Sequence, residues 1–247
     1  MNGKIRFIIV LLVAISLFSC QKEKDAYVPD YGYDYYPLEI GKTWVYKIDS
    51  IQYDTINLGT IADTATYYSK EEIVSSSTDE NGNIVYVIEE SRRMNDSLPW
   101  TVANVWSASV SDDKAYKTEG NFKFIKLVFP VKENTYWDGN ALFESGVIFY
   151  VKGESIEVFK EWDYYIQSTG EQEVIGDISY NNVATVVEAD YESAIELRKS
   201  VAKYAKGIGL VSREMHILDT QNITEDQPWE EKAQKGFIFK QVLVSHN

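Results

Sequence analysis

In 247 residues the chain has one cysteine, two histidines and five prolines. A single cysteine excludes an internal disulfide, so stability has to come from a packed core. The histidines, His216 and His246, share no metal-ligand spacing with each other or with neighbouring acids, and no metal site is expected. No Gly-x-Ser-x-Gly elbow, phosphate loop or dinucleotide fingerprint occurs; Gly207-Ile208-Gly209 is too short for the last and lacks its third glycine. These absences leave no recognisable catalytic residue and no implied cofactor.

Basic residues are also scarce, at 24 Lys and Arg against 38 Asp and Glu. The acidic surface repels phosphates, which excludes nucleic acid as a partner and leaves no basic patch to hold a membrane. Carboxylate pairs such as Asp112-Asp113 and Glu71-Glu72 are unremarkable in so acidic a chain and read as solvated turn or strand residues. A glycosidase-like pair among the acids would need a geometry that spacing does not give.

After Phe18 there is no long apolar run. The first twenty residues differ from the rest: Lys4 and Arg6 precede an apolar segment from Phe7 to Phe18, broken only by Ser16. That segment is too short to span a bilayer and has the layout of a secretory signal. Its end, Leu17-Phe18-Ser19-Cys20, resembles a bacterial lipobox, which implies cleavage after Ser19 and acylation of Cys20. Removing residues 1–19 takes away Lys4 and Arg6 but no acid, so the mature formal charge is −16 against −14 for the whole chain. The expected organisation is a lipoprotein signal peptide at 1–19, a flexible charged tether at 20–35 and a single antiparallel β domain at 36–247. Gln21 stands where an inner-membrane retention signal would carry aspartate. By resemblance to other lipoproteins this implies the outer membrane, with the domain periplasmic or surface-facing.

What remains is rich in tyrosine (18) and in aromatic residues generally (14%), which suits half-buried sheet faces. Trp44, Tyr46 and Ile48 alternate with polar residues, as a strand with one buried face requires. Further strands are expected at Thr64–Ser75, Ile84–Ser91, Thr101–Val110, Phe122–Val131, Val147–Val151, Ile156–Trp162 and Phe237–Val244. Of these, 122–131 and 237–244 read as central. Along Thr101–Val110, Val102, Asn104, Trp106 and Ala108 fall on one face. Asn81-Gly82 signals a hairpin, Trp137-Asp138-Gly139-Asn140 a turn, and Asn181-Asn182 a turn joining Val174–Tyr180 to Val183–Ala189. For residues 193–206 two readings stand. Ser193 and Glu196 have capping-box spacing, whereas the segment after Arg198 reads as a strand. Pro228 to Lys235 has the charge order of a short helix with Gln227 as its cap. The predicted fold class is mainly β: an antiparallel, strongly curved sheet or half-open barrel with one or two short helices.

Several stretches together resemble a family of small lipoproteins of gut-dwelling Gram-negative bacteria. They are Tyr36-Pro37-Leu38 with Gly41, Trp44 and Tyr46; Leu127-Val128-Phe129-Pro130; Trp137-Asp138-Gly139-Asn140; and Tyr204-Ala205-Lys206-Gly207-Ile208-Gly209-Leu210-Val211. The resemblance implies an antiparallel β protein and supplies neither an activity nor catalytic residues. The last motif also resembles periplasmic proteins whose curved sheets are similar to lipoprotein carriers.

Three functions compete. The first is a binding or carrier module whose concave face holds an apolar or glycan ligand, with Trp44, Trp106 and Trp137 as candidate ligand-facing aromatics. The second is an accessory subunit of an envelope assembly that binds protein partners, and the third is a hydrolase built on a carboxylate pair. Four triplets, Asp49-Ser50-Ile51, Asp54-Thr55-Ile56, Asp63-Thr64-Ala65 and Asp96-Ser97-Leu98, resemble acceptors of a periplasmic O-glycosylation system. They make Ser50, Thr55, Thr64 and Ser97 candidate modification sites. Three of the four flank an expected loop at Asn57–Ile61.

Overall fold

A computed structural model describes residues 29–56, 59–224 and 226–247, and its compact unit runs from Tyr31 to Asn247. That start lies five residues ahead of the expected domain boundary. Tyr33–Tyr35 form a 3₁₀ turn with Tyr35 buried, and the backbone from Tyr31 to Leu38 packs as a strap across one end of the sheet.

Two meanders make the sheet. The first is β1 (Thr43–Ile56), β2 (Gly59–Thr78), β3 (Ile84–Arg93), β4 (Thr101–Val110), β5 (Lys114–Glu119) and β6 (Phe122–Val128). A two-residue strand, β7 (Tyr136–Trp137), and a separate hairpin, β8 (Ile148–Val151) with β9 (Glu154–Glu157), follow. The second meander is β10 (Tyr164–Ile175), β11 (Ile178–Glu192), β12 (Glu196–Ala205), β13 (Gly209–Asp219), the single-turn helix α1 (Trp229–Lys232) and β14 (Lys235–His246). The order across the twelve-stranded antiparallel sheet is β6-β5-β4-β3-β2-β1-β14-β13-β12-β11-β10-β7. The two ends of that order meet. The Ile125 N–H donates to the Gly139 carbonyl at 2.9 Å, and the Trp137 indole N–H donates to the Ile125 carbonyl at 2.9 Å. The result is a nearly closed barrel, as the fold class predicted.

β14 is central, as its apolar faces indicated, but Phe122–Val128 is not; it is the terminal strand of the sheet order. It is buried on both faces because the chain around Trp137 and Gly139 covers the edge that would otherwise face solvent. Ile156–Trp162 is a strand only to Glu157, after which 158–161 turns through Glu161 at φ 58°. The second meander turns at Gly176-Asp177. Asn181-Asn182 lies inside β11 as an irregularity in the ladder, with Asn182 at φ 54°. Residues 196–205 are strand. The Ser193 hydroxyl does accept from the Glu196 N–H at 3.0 Å, but this closes a hairpin turn, since the Ser193 N–H also donates to the Glu196 carbonyl at 2.9 Å. The short helix ends at Lys232, its cap is Pro228 and not Gln227, and Lys235 and Gly236 already belong to β14.

Alternation along each strand points Trp44, Tyr46 and Ile48 of β1, Glu71 and Ile73 of β2, Met215 and Ile217 of β13, and Leu243 of β14 into the barrel, where they are buried. The strap closes one end. Its Tyr31 carbonyl accepts from the Val131 N–H at 2.9 Å and its Asp34 carbonyl from the Gly207 N–H at 2.7 Å. The β8–β9 hairpin covers the other end, held by Lys152–Asp63 (2.5 Å), by Lys235 Nζ on the Ser155 carbonyl (2.7 Å) and by the buried Arg198 on the Glu157 carbonyl (3.0 Å).

Candidate functional site

The barrel interior is not purely apolar. Midway between strap and hairpin it is crossed by a layer of charged side chains, two of them at ladder irregularities. In the β5–β6 ladder Ala115 faces Leu127 and Tyr116 faces Ile125, so Lys126 is passed over; it lies two residues on from the inward Phe124 and shares its face. In the β11–β12 ladder Val187 faces Val201 and Ala189 faces Ser200, so Glu188 is passed over in the same way, on the face of the buried Val186. Lys126 and Glu188 meet with Nζ and Oε1 at 3.6 Å, their side chains 5% and 1% exposed.

Around this pair the layer is well connected. Glu188 Oε2 accepts from Ser200 Oγ (2.6 Å) and Arg213 Nε (2.8 Å). Lys117 Nζ binds Glu71 Oε2 (2.9 Å) and Glu119 Oε1 (3.0 Å) and lies 4.3 Å from the centre of the Trp106 ring. Glu90 accepts from Ser69 (2.7 Å), Arg92 (2.6 Å) and Asn104 (2.7 Å). Burial pushes the Glu71 carboxyl above the usual carboxylate range, and Lys117 only partly opposes it. For Glu188 and Glu119 burial acts in the same sense but loses. Arg213 and then Lys126 hold Glu188 below its ordinary value, and Lys117, Lys126 and Arg213 hold Glu119 far below it. The Lys126 ammonium is pushed down by burial and by Arg213.

The layer divides the interior into two chambers. On the hairpin side is a cavity of about 350 Å³. Its walls include Trp106, Phe124, Phe149, Phe159 and Phe239, and its floor carries Glu119 and Arg213. Phe149 and Phe159, with ring centres 5.5 Å apart, bring the β8–β9 hairpin and the turn after it into this wall. On the strap side is a smaller chamber of about 60 Å³. Glu71, Glu119, Arg213 and Gln241 face both.

The three tryptophans expected to meet ligand are separated. Trp106 lines the larger chamber. Trp44 is buried against the smaller one and gives its indole N–H to the Ile208 carbonyl at 2.6 Å. Trp137 spends its N–H on closing the barrel. Val102 does not share the inward face of Asn104, Trp106 and Ala108; Ala103 is passed over in the β3–β4 ladder, which turns Val102 outward. Glu71 corrects the reading of Glu71-Glu72 as solvated, because it is buried in the charged layer while Glu72 is the outward neighbour. Among the described residues no group of His, Cys, Asp or Glu could hold a metal ion.

Of the candidate modification sites, Thr64 is exposed on β2 and Ser97 is exposed in the 94–99 turn, its Oγ 2.5 Å from Asn95 Oδ1. Thr55 is exposed on β1 and donates to the Gln234 carbonyl at 2.9 Å, whereas Ser50 is half-buried in β1. Of the expected loop at 57–61, residues 59–61 belong to β2, and 57–58 lie outside the described residues, as does Cys20.

Neither a protein-family model nor a curated protein matches the chain. Among solved structures, one described as an exported protein with a YmcC-like fold from Bacteroides fragilis is similar. It has 11% identity and a TM-score of 0.41, over 86% of this chain and 98% of that one. A structure described as a lipoprotein from Parabacteroides distasonis has 13% identity and a TM-score of 0.35, over the same shares. At these values the likenesses assign neither family nor activity.

Proposed function

We propose that the protein is a lipid-anchored envelope lipoprotein of the outer membrane whose barrel binds a small, mainly apolar ligand beneath the β8–β9 hairpin. The observation that carries this reading is the aromatic-walled chamber of about 350 Å³. Its size falls in the range of small-molecule sites, and a few polar groups at one end of an apolar cavity are what orient such ligands. The acids of the charged layer support binding over hydrolysis. Glu71, Glu90, Glu119 and Glu188 are each engaged by a cationic side chain at 2.6–3.0 Å, which leaves no carboxylate pair set aside as acid and base. The anchor rests on the lipobox-like Leu17-Phe18-Ser19-Cys20, because triacylation supplies the several chains that stable attachment needs.

Displacement fluorimetry with N-phenyl-1-naphthylamine tests the ligand class. Binding at one site per chain is expected, with affinity lowered about tenfold or more by Phe149→Asp, which puts a charge into the chamber wall. Saturable binding that Phe149→Asp leaves unchanged would place the probe elsewhere and refute the site. Palmitate labelling tests the anchor: Cys20→Ser should abolish label and membrane retention together.

A further inference from the structure

We propose that the smaller chamber, under the strap, is a separate site for a small monocarboxylate, with Lys126 as its anchoring cation. The reading is independent of the apolar ligand assigned to the larger chamber. It starts from two unsatisfied atoms: Lys126 Nζ and Glu188 Oε1 are buried, and neither has a hydrogen-bond partner. Their 3.6 Å separation lets them attract one another without forming a bond. A buried ammonium with three unused donors is costly, and such groups are seldom left unmet.

Lys126, Lys117 and Arg213 line the chamber with Glu71 and Glu119, and Glu188 lies against Lys126 and Arg213. Lys117 is bonded to Glu71 and Glu119, and Arg213 to Glu188, so Lys126 is the one cation of the three with no carboxylate in hydrogen-bond reach, which suits one added carboxylate. Burial pushes Glu71 up, and its protonation would leave the cations in excess.

Size narrows the class. At about 10–15 Å³ for each water-sized occupant, 60 Å³ takes about four to six non-hydrogen atoms. The remaining walls, Trp44, Tyr46, Tyr204 and Leu38, are apolar bodies whose polar ends are directed elsewhere where a bond is defined: Trp44 to Ile208 and Tyr46 to Leu210. A carboxylate against the cations with a short alkyl tail against these rings satisfies both sides. An inorganic oxyanion would use the cations but not the rings.

The test uses the full acylated chain in detergent and ¹³C-labelled acetate, with inorganic phosphate as a competing arm. Saturable acetate binding is expected, with nuclear Overhauser contacts from the acetate methyl to indole and phenol ring protons of the chamber. Phosphate should not displace it. Lys126→Met should weaken acetate at least about tenfold, the worth of a charge-assisted hydrogen bond. Lys126→Met/Glu188→Gln should do the same while keeping the layer's charge balanced, which guards against a variant that fails to fold. Binding of N-phenyl-1-naphthylamine should be unchanged in the paired variant. No saturable acetate binding by the wild type, which would leave the chamber to water, overturns the proposal. So does acetate binding that the paired variant retains, or displacement by phosphate.

Discussion

Glu188 offers the sharpest test of the charged layer. In Glu188→Leu the side chain keeps its bulk but gives up its carboxylate; two donors lose their acceptor, Ser200 Oγ at 2.6 Å and Arg213 Nε at 2.8 Å, and Lys126 Nζ loses the opposite charge 3.6 Å away. The carboxylate is 1% exposed, so water cannot take its place. Two short bonds to a charged group at about 1.5–3 kcal/mol each, partly repaid by better apolar packing, give a loss of about 3–5 kcal/mol. Most of that loss is the cost of stranding Lys126 and Arg213, so removing one stranded cation should return part of it. Lys126→Met made on top of Glu188→Leu is expected to cost less than Lys126→Met alone, with a coupling of about 1–3 kcal/mol. Urea unfolding at neutral pH, followed by tryptophan fluorescence with linear extrapolation, measures all four corners of the cycle. If Glu188→Leu costs less than about 1 kcal/mol, or the two substitutions add without coupling, the layer is not a connected buried network and the reasoning fails.

Trp44→Ala should cost about 3–5 kcal/mol, since it empties a buried site on β1 and frees the Ile208 carbonyl; an unchanged urea midpoint would contradict this. Gly236→Ala should abolish folding or cost more than about 4 kcal/mol. Gly236 sits at φ 108°, and a Cβ there would lie 2.0 Å from the Ile217 carbonyl oxygen; a native far-ultraviolet circular dichroism spectrum with an unshifted midpoint would refute it. The acids of the layer predict opposite pH slopes. Glu188 and Glu119 have depressed folded-state pKa values, so their stabilisation is present above the unfolded carboxylate value of about 4.3 and is lost as pH falls through the folded values. Glu71 is raised, so its contribution is full below that value and is lost as pH rises through the folded one. Stability of Glu71→Gln relative to wild type should therefore grow between about pH 4 and pH 7, which urea midpoints across that range will read.

The strands that alternate cleanly were legible in the sequence. Trp44-x-Tyr46-x-Ile48 gives β1 its inward face, and Asn81-Gly82 makes its hairpin turn with Gly82 at φ 85°. The elements misread share one physical cause, that local chemistry is the same in two contexts. A serine hydroxyl accepting from an N–H three residues on caps a helix or closes a turn, as at Ser193. Paired asparagines tolerate positive φ in a hairpin loop or in a kink within a strand, as at Asn181-Asn182. An apolar run buried on both faces is central, or it is an edge covered from outside, as in β6. The charged layer was hidden for a different reason. Period two puts Glu71 inward beside Ile73, Lys126 on the face of Phe124 and Glu188 on that of Val186, but which acid meets which cation depends on strands as far apart in sequence as β2, β6 and β13. The local signal was charge inside two largely apolar stretches: Lys126, beside the exposed Lys123, in Phe122–Val128, and Glu188 in Val183–Ala189.

The position of β14 has a consequence for how the molecule comes into being. Every other neighbouring pair within the two meanders is consecutive along the chain, most joined by short turns and β13 to β14 by residues 220–234, so each meander can assemble from contiguous chain. The β1–β14 seam pairs Trp44 with His246 and Tyr53 with Gly236, and it unites the two halves of the sheet. Contacts of such sequence separation are slow to form. Until the final dozen residues are available, the half-built molecule carries two bare strand edges, on β1 and β13, each shaped to accept the same segment. A chain interrupted before Lys235 is therefore a sticky intermediate with a vacancy of known sequence. A peptide of residues 235–247 supplied in trans should fill that slot, which would make the barrel a two-part reporter whose halves unite only when the last strand arrives.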